Sequence, residues 1–417
     1  MTRRSKVTAI LAALVLIVSV SLVALWANQE DEEPVTILGV WTDAQEEQFE
    51  EVLRGFGIPF DYQGTAAQRE VLLSQVQSGE PPDIAIMPGV GELAEYAAQG
   101  RLEPLNGLYD AKAYGPPWSA ADQTSGPVYW VPVKADVKSI VWYRAGNKPT
   151  AAPAPLESWC IGMSDDGASG WPGSDWIEDL VLQRSGPKAY GAWALGREEG
   201  EWTGDPVRTA WETWGRLLQQ NEQAARRALL TDHRGEPDRN GLLFAGRGGC
   251  TLEHQGSFAR SFYQGKSAGL TDSAALLPEG PYEQRAHEVT GDFAVLFSDR
   301  PEARELIGKL ASREGQRAWA AFPDVFSANS GVPPKNGPIG KQITDLLTGP
   351  GVRCLDASDV MAPAVRDAFY EATLLTMARA AEGTDLGIPD LLSDLQRVQK
   401  EAQPRTGTGL ARVCSGP

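Results

Sequence analysis

Apolar positions in the N-terminal half of this chain switch repeatedly between a run and a helical repeat. Pro34 to Val40 (PVTILGV) is a compact apolar run of the kind a buried strand makes. Asp43 then reads as an N-cap, and Phe49, Val52 and Leu53 recur behind it at helical spacing. Phe60 to Gln63 returns as a short strand, and Ala66 to Gln77 as a helix with Val71, Leu72 and Val76 on one face. Asp83 to Met87 is a third strand; after the Pro88-Gly89 break comes a helix through Leu93, Ala94 and Ala97. Strand and helix alternating in this way predict an α/β layer with a largely parallel sheet.

Val128 to Tyr143 is extended throughout and longer than one ordinary strand, as a segment passing from one lobe into another would be. A Pro/Ala linker, Lys148 to Pro155, leads into a Trp-rich region. Asp205-Pro206 opens a helix with Val207, Trp211, Trp214 and Leu218 on one face. Pro301 opens another through Leu306, Ile307, Leu310 and Ala311; Ala364 to Ala380 and Asp390 to Gln399 complete the set.

Composition narrows the function. The 417 residues suggest two or three domains, and 42% hydrophobic content is enough for a large core. A net charge of −17 argues against nucleic acid as a partner. Arg3, Arg4 and Lys6 precede an uncharged run from Val7 to Trp26, followed by Glu30, Asp31, Glu32 and Glu33. Twenty residues at ~1.5 Å rise span the ~30 Å of a bilayer core, so residues 7–26 are expected to anchor an extracytoplasmic body in the membrane. The alternative is a signal peptide cleaved after Ala27 and a secreted protein, although Leu25 suits that cleavage poorly. No cysteine follows the run closely, which excludes a lipid anchor. Outside the cytoplasm the four cysteines can pair in three ways, or some can remain buried thiols. The pairing that keeps each bridge within one region is Cys160 with Cys250 and Cys354 with Cys414.

Candidate chemistry points to binding. Thirteen tryptophans against ten tyrosines is an excess, and Trp41, Trp130, Trp171, Trp176, Trp193 and Trp202 fall near expected strand ends or loops. Aromatic faces in a cleft stack on sugar rings while amides and carboxylates take the hydroxyls. Trp211 and Trp214 read as core; Trp41 and Trp171, beside Gly, Pro or Asp, are the cleft candidates. There is no G-x-S-x-G elbow, and the nearest His-Ser pair is His254 with Ser257. Ser185 to Lys188 matches S-x-x-K but runs through Gly186-Pro187 and reads as a loop. Asp165, Asp166, Asp175, Glu178 and Asp179 could supply a glycosidase pair, yet acid clusters are ordinarily solvated faces. Three scattered histidines and no C-x-x-C leave no zinc motif, and Gly246 to Gly249 lacks the context of a dinucleotide site. The chain is therefore read as a non-enzyme with neither metal nor cofactor.

Several segments together resemble the extracellular solute-binding proteins of sugar ABC transporters, most closely the α-glucoside- and maltose-binding branch. These are Gly39-Val40-Trp41-Thr42, Pro81 to Ile86 with Pro88-Gly89, and Val131 to Lys134 through Lys138-Ser139 to Trp142-Tyr143. Trp159 to Gly162, Gly170-Trp171-Pro172 and Asp175 to Asp179 follow, then Cys250 with Gln255 to Phe258, Phe297 to Glu302, and Leu355 to Met361. The resemblance implies a two-lobed α/β fold with hinge-crossing strands and an interlobe cleft. Residues 1–33 would be the N-terminal segment and acidic linker, 34–134 plus 293–332 the first lobe, and 135–292 plus 333–417 the second. It implies a cleft lined by Trp41, Thr42, Asp43, Gln63, Gly64, Pro88 and Gly89 from the first lobe. Trp171, Gln255 and Phe258, with Phe369 or Tyr370, would come from the second. It further implies a carbohydrate ligand, ABC permease subunits as partners and a monomer. The chain departs from the family pattern in a shortened stretch between Tyr143 and Trp159, in Phe369-Tyr370 where the pattern has Phe-Trp, and in Arg366 where it has glycine. The alternative reading is an anchored sensor or protein-interaction domain on the same fold.

Overall fold

The structure, a computed structural model, describes residues 33–118, 126–150, 153–196, 200–235, 240–245, 249–335, 337–402 and 412–415. The expected membrane segment, residues 7–26, lies outside these, and no described helix is long and apolar enough to cross a membrane.

Strands β1 (Val35–Gly39), β2 (Phe60–Gly64) and β3 (Ile84–Pro88) alternate with helices α1 (Asp43–Arg54), α2 (Gln68–Ser78) and α3 (Gly91–Ala98). β1 pairs parallel with both β2 and β3, which is what helical crossovers of this length produce. Phe49, Val52 and Leu53 of α1 and Leu72 and Val76 of α2 are buried as the sequence predicts, while Val71, expected on the same face, is half-buried. With β4 (Trp130–Val137) and β8 (Ala286–Leu296) added, the sheet order is β2-β1-β3-β8-β4. β4 lies antiparallel to the eleven-residue β8, with a register shift between Pro132 and Lys134. β8 also pairs with β3 through residues 292–296 and with β9 (Val352–Leu355) through residues 286–289.

The long segment 128–143 is two strands. β4 ends at Val137, Lys138 and Ser139 cross over, and β5 (Ile140–Arg144) enters a second sheet. There β5 lies between β6 (Leu252–His254) and β7 (Ala268–Asp272), antiparallel to each. The Lys138 N–H donates to the Glu288 carbonyl at 2.8 Å, and Ser139 Oγ accepts from the Glu288 N–H at 2.8 Å. The two crossing segments are thereby laced together.

The remaining helices are α4 (Trp171–Leu195), α5 (Asp205–Leu218), α6 (Glu222–Leu229), α7 (Pro301–Ala311) and α8 (Arg313–Trp319). Then come α9 (Pro338–Thr348), α10 (Ala357–Val360), α11 (Pro363–Glu382) and α12 (Ile388–Ala402). Helix α4 corrects three expectations. Trp176 and Trp193 sit inside it, fully buried, and not at strand ends. The Ser185–Lys188 stretch is no loop: helical geometry breaks at Gly186 (φ 78°, ψ 172°) and resumes at once through Pro187. Asp175, Glu178 and Asp179 are buried, so this acid cluster is not a solvated face. The reason is that α4 is enclosed on nearly all sides, which leaves no apolar stripe to read. Trp211 and Trp214 of α5 are core, as expected. Cys160 is bonded to Cys250 and Cys354 to Cys414, the pairing that keeps each bridge within one region.

Candidate functional site

Ligands of α/β sheets bind beyond the carboxyl ends of parallel strands. β1, β2 and β3 end at one edge, which gathers Trp41-Thr42-Asp43, Gln63-Gly64 and Pro88-Gly89 there. Asp43 is exposed and holds φ 55°, a left-handed conformation that few non-glycine residues adopt and that Asp tolerates better than most. Gly64 and Gly89 are required by close backbone approach: a Cβ on Gly64 would lie 2.0 Å from the Trp41 carbonyl oxygen, and one on Gly89 2.6 Å from Asp359 Cβ.

Trp41 is not a stacking platform. It is 2% exposed, with Phe49 at 4.6 Å and Trp319 at 4.9 Å between ring centroids. Its backbone N–H donates to Tyr62 Oη at 3.1 Å and its indole N–H to Asp292 Oδ2 at 3.2 Å. The ring belongs to the first lobe's core, and only its N–H edge reaches the polar floor. Lys134 stands on that floor, 3.2 Å from Asp136 and 3.9 Å from Asp292. Burial opposes the Lys134 charge, but Asp136, Asp292 and Asp324 outweigh it and hold the ammonium well above its ordinary range. Ser257, which follows β6 of the second sheet, donates to Asp136 at 2.6 Å.

The surroundings of Trp171 are aromatic. Trp171, first residue of α4, is half-buried and its indole N–H donates to Asp165 Oδ2 at 2.8 Å. His233 (4.9 Å) and Phe258 (5.8 Å) meet its ring edge-on, and Lys138 Nζ lies 5.0 Å from its centroid. Arg234 grips Asp232 through Nε at 2.9 Å and Nη2 at 2.8 Å, and Nη2 is 3.9 Å from Asp165. Burial lowers the His233 pKa, against the opposing pull of Asp165 and Asp232. Gln255 is buried, with Nε2 3.5 Å from the His233 carbonyl and no hydrogen-bond partner on Oε1. Sequence reasoning missed His233 and Arg234. They reach Trp171 through an isolated bridge between Ser164 and Asp232, which leaves no local pattern.

Phe369 does not line a cleft. It is fully buried, with Trp193, Trp202 and Trp211 at 5.8, 5.0 and 5.6 Å. The neighbouring Tyr370 is also buried, but its hydroxyl lies 3.3 Å from Ser358 Oγ. Beside Gly89 the N-terminal and C-terminal parts of the chain meet: the Val90 N–H donates to the Asp359 carbonyl at 2.8 Å, and Glu92 of α3 lies 3.5 Å from both Arg69 and Arg366.

The profile of the bacterial extracellular solute-binding proteins matches residues 37–317, well over half of the chain. The chain belongs to that family. This solute-binding protein is 31% identical to the alpha-glucosides-binding periplasmic protein AglE of Rhizobium meliloti, over 81% of this chain and 83% of the relative. It is 28% identical to the osmoprotective compounds-binding protein GgtB of Synechocystis, over 86% and 92%. Among solved structures it is similar to a chitin oligosaccharide binding protein, with TM-score 0.67 and 18% identity over 89% of this chain and 99% of the other. The solute receptor AcbH gives a TM-score of 0.69 and 16% identity, over 89% and 99%. These likenesses establish the two-lobed fold, and the family places the body of the protein outside the cytoplasm.

Proposed function

We propose that this solute-binding protein captures a carbohydrate of the α-glucoside class between its lobes and delivers it to the permease of an ABC importer. The observation that carries the reading is the second-lobe wall: a half-buried Trp171, its N–H fixed by Asp165 and its aromatic neighbours edge-on, beside Arg234. An indole so held stacks on the C–H face of a pyranose, while carboxylate and guanidinium groups take the hydroxyls. In this reading Trp171 and Phe258 stack, Asp165 and Gln255 orient, and Thr42, Asp43 and Gln63 close on the ligand from the first lobe. Gly64, Pro88, Gly89 and Tyr370 shape the cleft, while Trp41 and Phe369 support it from behind. The name of the AglE relative supports the substrate class. The protein works as a monomer tethered through residues 7–26.

The test is a thermal-shift and calorimetry series with α- and β-linked mono-, di- and oligosaccharides. An α-glucoside at about 100 times its Kd should stabilise the fold by about 2.7 kcal/mol. A folded sample that responds to none of these sugars overturns the reading.

A further inference from the structure

Four carboxylates are buried where the crossing segments meet: Asp175 and Glu178 on α4, Glu288 on β8, and Asp356 between β9 and α10. Lys138 faces them, its Nζ 2.9 Å from Asp175 Oδ1 and 2.7 Å from Asp356 Oδ2. Most of the other oxygens are satisfied locally. Glu178 Oε2 accepts from the Ala357 N–H at 2.7 Å, and Asp356 Oδ1 from Ser358 Oγ at 2.7 Å and the Asp359 N–H at 3.0 Å. Glu178 Oε1 has no hydrogen-bond partner, and neither has either side-chain oxygen of the wholly buried Glu288. A buried carboxylate left in that condition is costly, and one lysine shared among four acids does not relieve it.

One oxygen from each of Glu288, Asp175 and Asp356 lies within 4.8 Å of the others. A cation bound at roughly 2.3–2.6 Å from each oxygen requires separations of this size. We propose that Glu288, Asp175 and Asp356 hold a divalent calcium-type cation at the junction of α4, β8 and the segment after β9. The donors are all oxygen, with no histidine or cysteine among them, which selects a hard ion over zinc. Magnesium, which keeps several waters, suits a site so deeply buried less well. The ion joins three segments of the hinge and is independent of which solute the cleft takes.

The experiment uses the full chain, stripped with EDTA, dialysed and titrated with calcium chloride by calorimetry and thermal denaturation. About one calcium per chain and a raised Tm are expected, with affinity reduced at least about tenfold in Glu288→Gln. Asp345→Asn, which removes an exposed surface carboxylate paired with Lys341, should bind calcium as the parent does. Uptake unchanged in Glu288→Gln, or weakened equally in Asp345→Asn, overturns the site. So does a folded, metal-free parent chain that takes up no stoichiometric calcium, a measurement that stands even if Glu288→Gln does not fold.

Discussion

Trp41 and Trp171 carry the same local cue, a tryptophan at the end of a run beside Gly, Pro or Asp, yet the fold buries one and leaves the other half-exposed. Trp41 is enclosed by Phe49 and Trp319, so Trp41→Ala removes a large core side chain and should cost about 3–5 kcal/mol in urea denaturation. Trp171 is half-buried, and its partners meet it by their edges. Trp171→Ala should cost no more than about 1.5 kcal/mol of stability but weaken sugar binding at least about tenfold in calorimetry. Equal stability losses in the two variants would show that Trp171 is also core. His233 adds a pH dependence to this wall. Its folded pKa lies below the 6.5 of an unconstrained histidine because the ring is buried. The unfolded chain therefore binds its proton first as pH falls through that value, and stability contributed by neutral His233 is lost below it. Between pH 7 and 5 the parent should accordingly lose more Tm than His233→Gln. Parallel Tm profiles would show that His233 binds its proton equally well in the folded and unfolded chain.

At the scale of elements, legibility followed the one-sidedness of burial. The first three strands and helices were readable because each helix shows one stripe to its sheet, as Phe49, Val52 and Leu53 do. The α5 helix was readable for the same reason, through Val207, Trp211, Trp214 and Leu218. Helix α4 was not, because buried residues surround it and its acids point inward to Lys138 and His254. The grouping of Glu288, Asp175 and Asp356 was equally invisible, since metal motifs in sequence depend on short spacings and these residues come from three distant segments. The candidate cleft residues Thr42, Asp43, Gln63, Gly64, Pro88 and Gly89 were nominated through the family resemblance and follow strand ends; the histidine and arginine beside Trp171 come from a loop with no periodic signal. Arg366, a departure from the family's glycine, acquires a role from packing. From α11 it reaches Glu92 on α3 at 3.5 Å, with both side chains mostly buried. Arg366→Ala leaves Glu92 with Arg69 alone and should destabilise the chain by about 2–3 kcal/mol in denaturant melts. In the Glu92→Gln background the same change should cost clearly less; an undiminished loss would place the effect in packing and not in the ion pair.

For the whole molecule, the proposed capture of a solute requires that the lobes move while each stays intact. The connections between the first sheet and the second pass through Lys138-Ser139 and the start of β8, backbone held by its own hydrogen bonds and free of covalent cross-links. Cys160–Cys250 closes a 90-residue separation around the second sheet, and Cys354–Cys414 ties β9 to residues near the C-terminus across 60. Neither bridge involves β1, β2 or β3 directly, although β9 joins their sheet through β8. A solute that contacts both walls favours the closed state only by its differential affinity for that state, which makes compaction a direct readout of contact with both lobes. Small-angle scattering should therefore show the radius of gyration falling on saturation with a bound α-glucoside. Loss of either disulfide should lower stability by about 4 kcal/mol, the loop-closure value for separations of this length. The ligand-driven contraction should nevertheless survive in the Cys354→Ala/Cys414→Ala variant, provided it is measured below its melting point. Contraction abolished in that variant, with the fold and sugar affinity retained, would mean that the bridge transmits closure and that the hinge extends to β9.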